Sequence, residues 1–392
     1  MASPVTGDAE IRVSVSPGEV RVAGLLRGTL EVASIERAGQ PDGVGDLHLA
    51  RVTAILPAMS GAFLLLGDNL TGFLPESELQ PPRQAIAKAL HEGQTLAVRI
   101  IRAAQGGKGP RLTARLTAEE QAVALSAERR VPCLLSRGPS PALRLARMWP
   151  DAPLVTDGPD SAASLRKALG TGRVTLRLAG AFDPELEADF DNLANPRVAL
   201  EGGASLLIYP TPALTAIDVD SGSIAGSRDA AAHALLNQVA INAVARQIRL
   251  RNLAGAILVD FAGLPIRRRE SLVAPLAAAL ETDPLDAKLL GMTRLGLMEI
   301  VRPRIHPPLH EILGLPPSPL TLGLAAMRQA LREVAALQGT ALALVAAPEV
   351  IQAIRASPDA EEAYRRQAGR PLLLRQDACL RPGQEQVMRV EG

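Results

Sequence analysis

Aromatic residues are scarce: five Phe, two Tyr and one Trp make up 2% of 392 residues. Cores must therefore be built from aliphatic side chains, and each Phe carries more information than usual. Cysteine is scarcer still. Cys133 and Cys379 lie far apart and outside any Cys-x-x-Cys spacing, so neither a disulfide framework nor a thiolate zinc site is expected. Long apolar runs are lacking, each being broken by polar residues, Gly or Pro, and no helix is expected to span a membrane. The first ten residues have no basic start and no apolar centre, so no signal peptide is expected and the cytoplasm is the default location. Nor is there an excess of charge: 42 Lys and Arg face 41 Asp and Glu. A nucleic-acid partner can be argued only from local patches, not from net charge.

What is present is a chain rich in Ala, Leu, Arg and Pro, long enough for two or three cores. Residues 11–37 alternate apolar and polar around Pro17-Gly18 and Arg27-Gly28, the pattern of an antiparallel meander. After a Gly-rich connection, short strand patterns recur at Leu47–Leu56, Gly61–Leu66, Thr71–Leu74, Thr95–Arg102 and Arg111–Leu116, with a helical stretch at Gln84–Leu90. Five strands with one helical interruption suit a small closed barrel of the OB type, which binds single-stranded nucleic acid with aromatics for stacking and cations for phosphates. Phe63 and Phe73 are the only Phe residues before Phe182, and Lys108 sits in the loop Gln105-Gly-Gly-Lys-Gly109. Burial of either ring in the barrel is the competing reading, and Lys108 alone is an ordinary solvated charge.

Residues 117–205 read only as a small α/β segment: a helix at Ala118–Arg130, a strand at Pro132–Leu135, then helices at Ser161–Leu169 and Phe182–Leu193. From Ala204 the pattern sharpens. An apolar hairpin, Ser205–Tyr209 and Leu214–Asp218, leads into a long helix, Asp229–Arg251, and a second apolar run, Ala256–Phe261. Strand and helix continue to alternate to Arg304, as in a sheet with crossover helices. A Pro-rich linker then precedes a small α/β tail.

Two of these strands end on acids. Leu214-Thr-Ala-Ile-Asp-Val-Asp-Ser-Gly222 places Asp218 and Asp220 on one face of a strand, and Ala256-Ile-Leu-Val-Asp-Phe261 ends on Asp260. If the strands lie side by side, three carboxylates meet at one sheet edge, which suits a hard divalent cation for phosphoryl chemistry. Each acid taken singly also fits a turn former or a helix N-cap.

Four ordered blocks resemble the ribonuclease E/G family of bacterial endoribonucleases, which cut single-stranded RNA: Ala216–Gly222, Ala245–Leu253, Ile257–Phe261 and Thr293–Arg304. Upstream, Gly61-Ala-Phe-Leu, Gly72-Phe-Leu-Pro75 and Gly107-Lys-Gly109 follow the order of that family's RNA-binding barrel. The resemblance implies an α/β multidomain fold: an RNase H-like N-terminal region with an inserted OB-type β-barrel, a DNase I-like α/β catalytic domain and a small C-terminal α/β domain. The boundaries expected are 1–45, 46–117, 118–203, 204–306, a linker at 307–320, and 321–392. It implies that Asp218 and Asp260 hold Mg2+, that water attacks phosphorus to leave 5′-phosphate and 3′-hydroxyl ends, and that Phe63, Phe73 and Lys108 grip RNA. Arg294, Arg302 and Arg304 are candidate phosphate contacts, with ion pairing as the alternative.

The departures are specific. Asp220 stands where the family typically has Asn, adding a charge that attracts a cation and repels a phosphate. The family's Arg-Thr-Ala sensor of the RNA 5′-monophosphate has no match in residues 117–205, and residues 305–320 contain no Cys for a zinc link between protomers. A shortened Mg2+-dependent endoribonuclease, monomeric or a zinc-free homodimer, is the leading expectation; a weakened RNA-binding homologue is the second. A scaffold role rests on the near-neutral charge alone.

Overall fold

The structure, a computed structural model, describes residues 8–80, 85–126, 130–222, 230–261, 264–336 and 341–390. Parts of three expected helices, at Gln84, at 127–129 and at Asp229, lie outside the described residues. The chain divides into two compact units: one runs to Pro41 and takes in Pro141–Pro303 and the residues from Pro308 on, the other comprises Asp42–Ser140 and Arg304–Pro307.

In the first unit, β1 (Ala9–Ser16), β2 (Glu19–Leu26) and β3 (Thr29–Arg37) form the expected antiparallel meander. Arg27 and Gly28 both take left-handed backbone (φ 52° and 76°), which lets a two-residue turn follow the strand twist.

The second unit is built from β4 (Leu47–Leu56), β5 (Gly61–Leu65), β6 (Thr71–Pro75), the one-turn α1 (Ile86–Ala89), β7 (Thr95–Arg102), β8 (Arg111–Thr113), α2 (Ala118–Leu125) and β9 (Cys133–Ser136). The order β5-β6-β8-β7-β4, with β4 pairing back to β5, closes a five-stranded OB-like barrel around Val52, Leu64, Leu74, Val98, Ile100 and Leu112. The strand expected at Pro132–Leu135 in the middle segment is β9, and it belongs to the barrel sheet. β4 explains why: only its second half, from Arg51, pairs with β5, so the edge at Leu47–Leu49 is open to β9.

Back in the first unit, α3 (Pro141–Met148), β10 (Leu154–Thr156), α4 (Pro159–Leu169), β11 (Val174–Leu176) and α5 (Pro184–Asn192) complete the N-terminal sheet in the order β11-β10-β1-β2-β3. Ile11, Val13 and Val22 pack with Leu145, Trp149 and Leu165 on one face. Ala23, Leu25 and Leu30 meet Leu186 and Phe190 on the other.

A six-stranded sheet follows: β12 (Arg197–Ala199), β13 (Ser205–Pro210), β14 (Thr215–Asp220), α6 (Ala230–Leu250), β15 (Gly255–Asp260), α7 (Ile266–Arg269), α8 (Val273–Leu280), β16 (Lys288–Met292) and β17 (Met298–Arg302). The order is β12-β13-β14-β15-β17-β16, and β14–β15 is its one parallel pair, joined through α6. The expected alternation thus yields a single crossover, because β17 returns antiparallel beside β15. Ile217, Val219, Ile257 and Val259 pack with Val244 and Ile248 of α6 and Leu276 of α8.

The expected linker contains a short helix, α9 (Leu309–Leu313). The tail comprises α10 (Pro319–Ala336), β18 (Leu342–Ala346), α11 (Pro348–Arg355), α12 (Pro358–Ala368), β19 (Leu373–Gln376) and β20 (Gln386–Arg389), with its own aliphatic core and sheet order β19-β18-β20. Among the described residues no helix is long and apolar enough to cross a membrane.

Candidate active site

The parallel register of β14 and β15 places Asp218 directly opposite Asp260, with Ile217 opposite Val259 one position earlier. Ile217 and Val259 are buried in the core, so by strand alternation the two acids share the outward face of the sheet. Asp220 lies two residues further along that face. The aliphatic residues between the acids are what fix this arrangement, since a one-residue slip would bury the carboxylates and expose Ile217 and Val219.

The three acids have different surroundings. Partial burial pushes the Asp218 carboxyl above its usual range, and the negative charges of Asp260 and then Asp220 push it further. Asp260, its side chain 48% exposed, accepts a 2.5 Å hydrogen bond at Oδ1 from Nη1 of Arg269. Asp220 is shared between the chain after it and the neighbouring strands: its Oδ1 accepts from Gly222 N at 3.0 Å, and its Oδ2 faces Ser205 Oγ of β13 at 3.5 Å and Arg197 Nη2 of β12 at 3.4 Å. Among the described residues no three His, Cys, Asp or Glu side chains converge as a metal site. Asp218 and Asp260 are thus registered partners, while Asp220, near enough to raise the Asp218 carboxyl, has polar partners of its own.

That pair still fits a small hard cation. Both donors are carboxylate oxygens and both face outward; Arg269 engages one oxygen of Asp260, and the negative charge that raises the Asp218 carboxyl is what a cation relieves. Mg2+ commonly binds through one or two carboxylates and fills its other positions with water and substrate phosphate, so a complete protein cage is not needed.

The arginines divide. Arg294 is exposed in the turn between β16 and β17. There Thr293 Oγ1 accepts from Leu295 N and Leu297 N, both at 3.1 Å, and Gly296 takes φ 85°. Arg302 is 3% exposed and corrects the expected phosphate contact. Its Nε and Nη2 each donate at 2.9 Å to the buried carboxylate of Asp283, and its Nη1 donates to Asn252 Oδ1 and Leu253 O. Arg304, in the other unit, is also buried, with Nη2 3.5 Å from Ala104 O. Both guanidinium groups are turned into protein, where ion pairing and carbonyls, not phosphates, meet them.

On the barrel, Phe63 and Phe73 are registered neighbours on β5 and β6, partly exposed and edge to face at 5.7 Å. Gly61 is required beside them, because a Cβ there would collide with the Phe73 ring. Lys108 is exposed in a turn whose Gln105 and Lys108 exchange backbone hydrogen bonds of 2.9 and 2.8 Å, and the chain after it runs onto β6, where Phe73 N donates to Pro110 O at 2.8 Å. A Cβ on Gly109 would collide with Thr71 O, so this loop lies flush against the strand carrying Phe73.

Sequence reasoning missed Arg269. It is the last of three consecutive arginines, and nothing in Arg267-Arg268-Arg269 marks which one reaches Asp260.

The Ribonuclease E/G family model matches residues 180–305, a span that contains all three acids. Similar curated proteins include Ribonuclease G of Escherichia coli (strain K12), 24% identical over 399 residues and covering 78% of this chain and 82% of that one. Ribonuclease G of Haemophilus influenzae is 25% identical over 398 residues, with 78% and 81% covered. Ribonuclease E of a Synechocystis species is 27% identical over 365 residues, spanning 70% of this chain and 54% of that protein.

Proposed function

The chain belongs to the ribonuclease E/G family, and from that premise we propose that it is an endoribonuclease hydrolysing single-stranded RNA with a divalent cation held by Asp218 and Asp260. One observation carries the assignment of the site: the two acids are register partners in the parallel pair β14–β15 of the six-stranded sheet, on its outward face.

A bound Mg2+ would supply positive charge for the phosphoryl oxygens and a water of lowered pKa. Asp218 and Asp260 do the binding, and the rigid sheet behind them means that neither must be ordered when substrate arrives. Attack on phosphorus by water leaves a 5′-phosphate and a 3′-hydroxyl. Exposed Arg294 lies one turn from β17, the neighbour of β15, and serves as a phosphate contact. On the barrel, Phe63 and Phe73 offer partly exposed ring faces for base stacking, with Lys108 as the nearby cation. The split N-terminal sheet is read as the RNase H-like region and the six-stranded sheet as the DNase I-like catalytic domain. The protein acts as a monomer or a zinc-free homodimer on cytoplasmic rRNA or mRNA.

Asp220 favours a second reading, a weakened homologue that holds RNA and cuts slowly. Its charge sits on the same face as the cation pair, although Arg197 of β12 and the Gly222 amide engage its two oxygens.

Cleavage of a fluorogenic single-stranded AU-rich oligonucleotide, with and without Mg2+, separates the two. Asp218→Asn and Asp260→Asn should each abolish cutting while RNA affinity stays nearly unchanged. Wild-type-like cleavage by either variant removes the cation assignment.

A further inference from the structure

Arg269 is held more firmly than a surface ion pair requires. It closes the one-turn α7 directly after β15, and while Arg267 and Arg268 are exposed, its own side chain is only 16% exposed. Its Nε donates to Leu264 O at 3.0 Å, and its Nη1 donates both to Gly296 O at 3.1 Å and to Asp260 Oδ1 at 2.5 Å. Gly296, at φ 85°, brings backbone against this side chain: a Cβ there would stand 3.3 Å from Arg269 Cδ. Two carbonyls thus fix the plane of the guanidinium independently of the carboxylate.

We propose that Arg269 is the positioning residue of the cation site, holding Oδ1 of Asp260 so that Oδ2 is presented toward Asp218, and tying that carboxylate through Gly296 to the turn that displays Arg294 and Leu295. The contact is single, not a fork around both oxygens, so one oxygen of Asp260 stays available. The geometry argues against the rival in which the guanidinium merely fills the place of the cation and leaves when it binds. Departure would strand the carbonyls of Leu264 and Gly296, whereas a fixed donor is how carboxylate ligands are held in orientation. The turn matters because it carries the exposed Arg294 and, at the next position, Leu295, 77% exposed. Arg269 therefore sets where the phosphate contact Arg294 stands relative to the acid. A lysine could not reproduce this, having one ammonium where Arg uses Nε and Nη1 in a fixed plane.

The inference rests on the two-carboxylate reading, and the test separates them. Mn2+ binding to the RNA-free protein is followed by electron paramagnetic resonance in wild type, Asp218→Asn, Arg269→Ala and Arg269→Lys, with thermal melts confirming folding. Wild type should bind one ion that Asp218→Asn removes, and Arg269→Ala should weaken that binding by about 10–100-fold. Arg269→Lys should shift it in the same direction by less, and stands in if the alanine variant does not fold. Cleavage lost in the Arg269 variants should return as Mn2+ is raised, which a general loss of structure would not allow. Binding equal to or tighter than wild type in both Arg269 variants overturns the positioning role while leaving the carboxylate pair intact. Absence of any ion that depends on Asp218 overturns both.

Discussion

Asp218 is held by its strand beside two like charges, and its raised pKa has a consequence for folding. Its pKa in the fold lies above that in the unfolded chain, so below the ordinary carboxylate range both states are protonated and nothing is lost. As pH rises through the interval between the two values stability falls, and above the raised value the penalty is complete. Asp218→Asn should therefore melt higher than wild type at neutral pH, by up to about 1 kcal/mol for a solvent-screened site, and the gain should vanish in acid. Thermal melts at the two pH values check this; an equal gain in acid would point to packing. At Phe63 the expected effect is on binding: Phe63→Ala should weaken RNA affinity by about 1–3 kcal/mol if the ring stacks on a base. If the variant unfolds while its folded fraction keeps its affinity, the edge-to-face contact with Phe73 was the role of the ring. The shared face and register of Asp218 and Asp260 were legible in the sequence because strand alternation fixes them, whereas the sequence left open whether either Phe ring is buried, and the structure leaves both partly exposed. Arg302 was not legible, since an arginine that meets phosphate and one that neutralises a buried acid look the same until the fold supplies Asp283.

At the scale of elements, Arg302 shows what holds the end of β17. Its partner Asp283 has a side chain 1% exposed and also accepts from Ala287 N at 3.0 Å, fixing the loop between α8 and β16. Arg302→Met should leave that carboxylate buried without its cation, at a cost of about 3–5 kcal/mol. Urea unfolding measures it, and a loss below about 1 kcal/mol, the range of an exposed pair, would mean that water reaches Asp283. Elements with a strong period were readable: the meander, the barrel strands and α6. β9 was misplaced because a four-residue strand carries no sign of its partner, and its place is decided by the length of β4. The single crossover was likewise beyond reading, because the position of β17 beside β15 is a long-range choice.

Across the first unit as a whole, Glu19 is a joint. This β2 residue, its side chain 2% exposed, faces Arg37 of β3 at 3.4 Å and Arg328 of α10 at 2.9 Å. Gly18 beside it lies so close to the tail that a Cβ would stand 2.8 Å from that of Ala360. Glu19→Ala should cost about 3–5 kcal/mol by removing the buried carboxylate that both guanidinium groups face, read as a lower urea midpoint for the unit. Unchanged unfolding would show the tail to be energetically separate. The tail's α/β character was foreseen, but its docking onto the meander was not, since the partners are some three hundred positions apart and no local pattern links them.

The barrel is spliced into this unit between β3 and α3, and its two chain ends meet: a Cβ on Gly45 would stand 3.1 Å from Gly138 Cα, and Asp46 accepts from both Arg137 and Gly138 N at 2.7 Å. For folding kinetics this converts a long detour into a short one. Once the barrel has closed on itself, β1–β3 need no longer search for β10 across a loop of some hundred residues, and the entropy of that search falls to that of a few connecting residues. Barrel first, parent sheet second is the order such a splice favours.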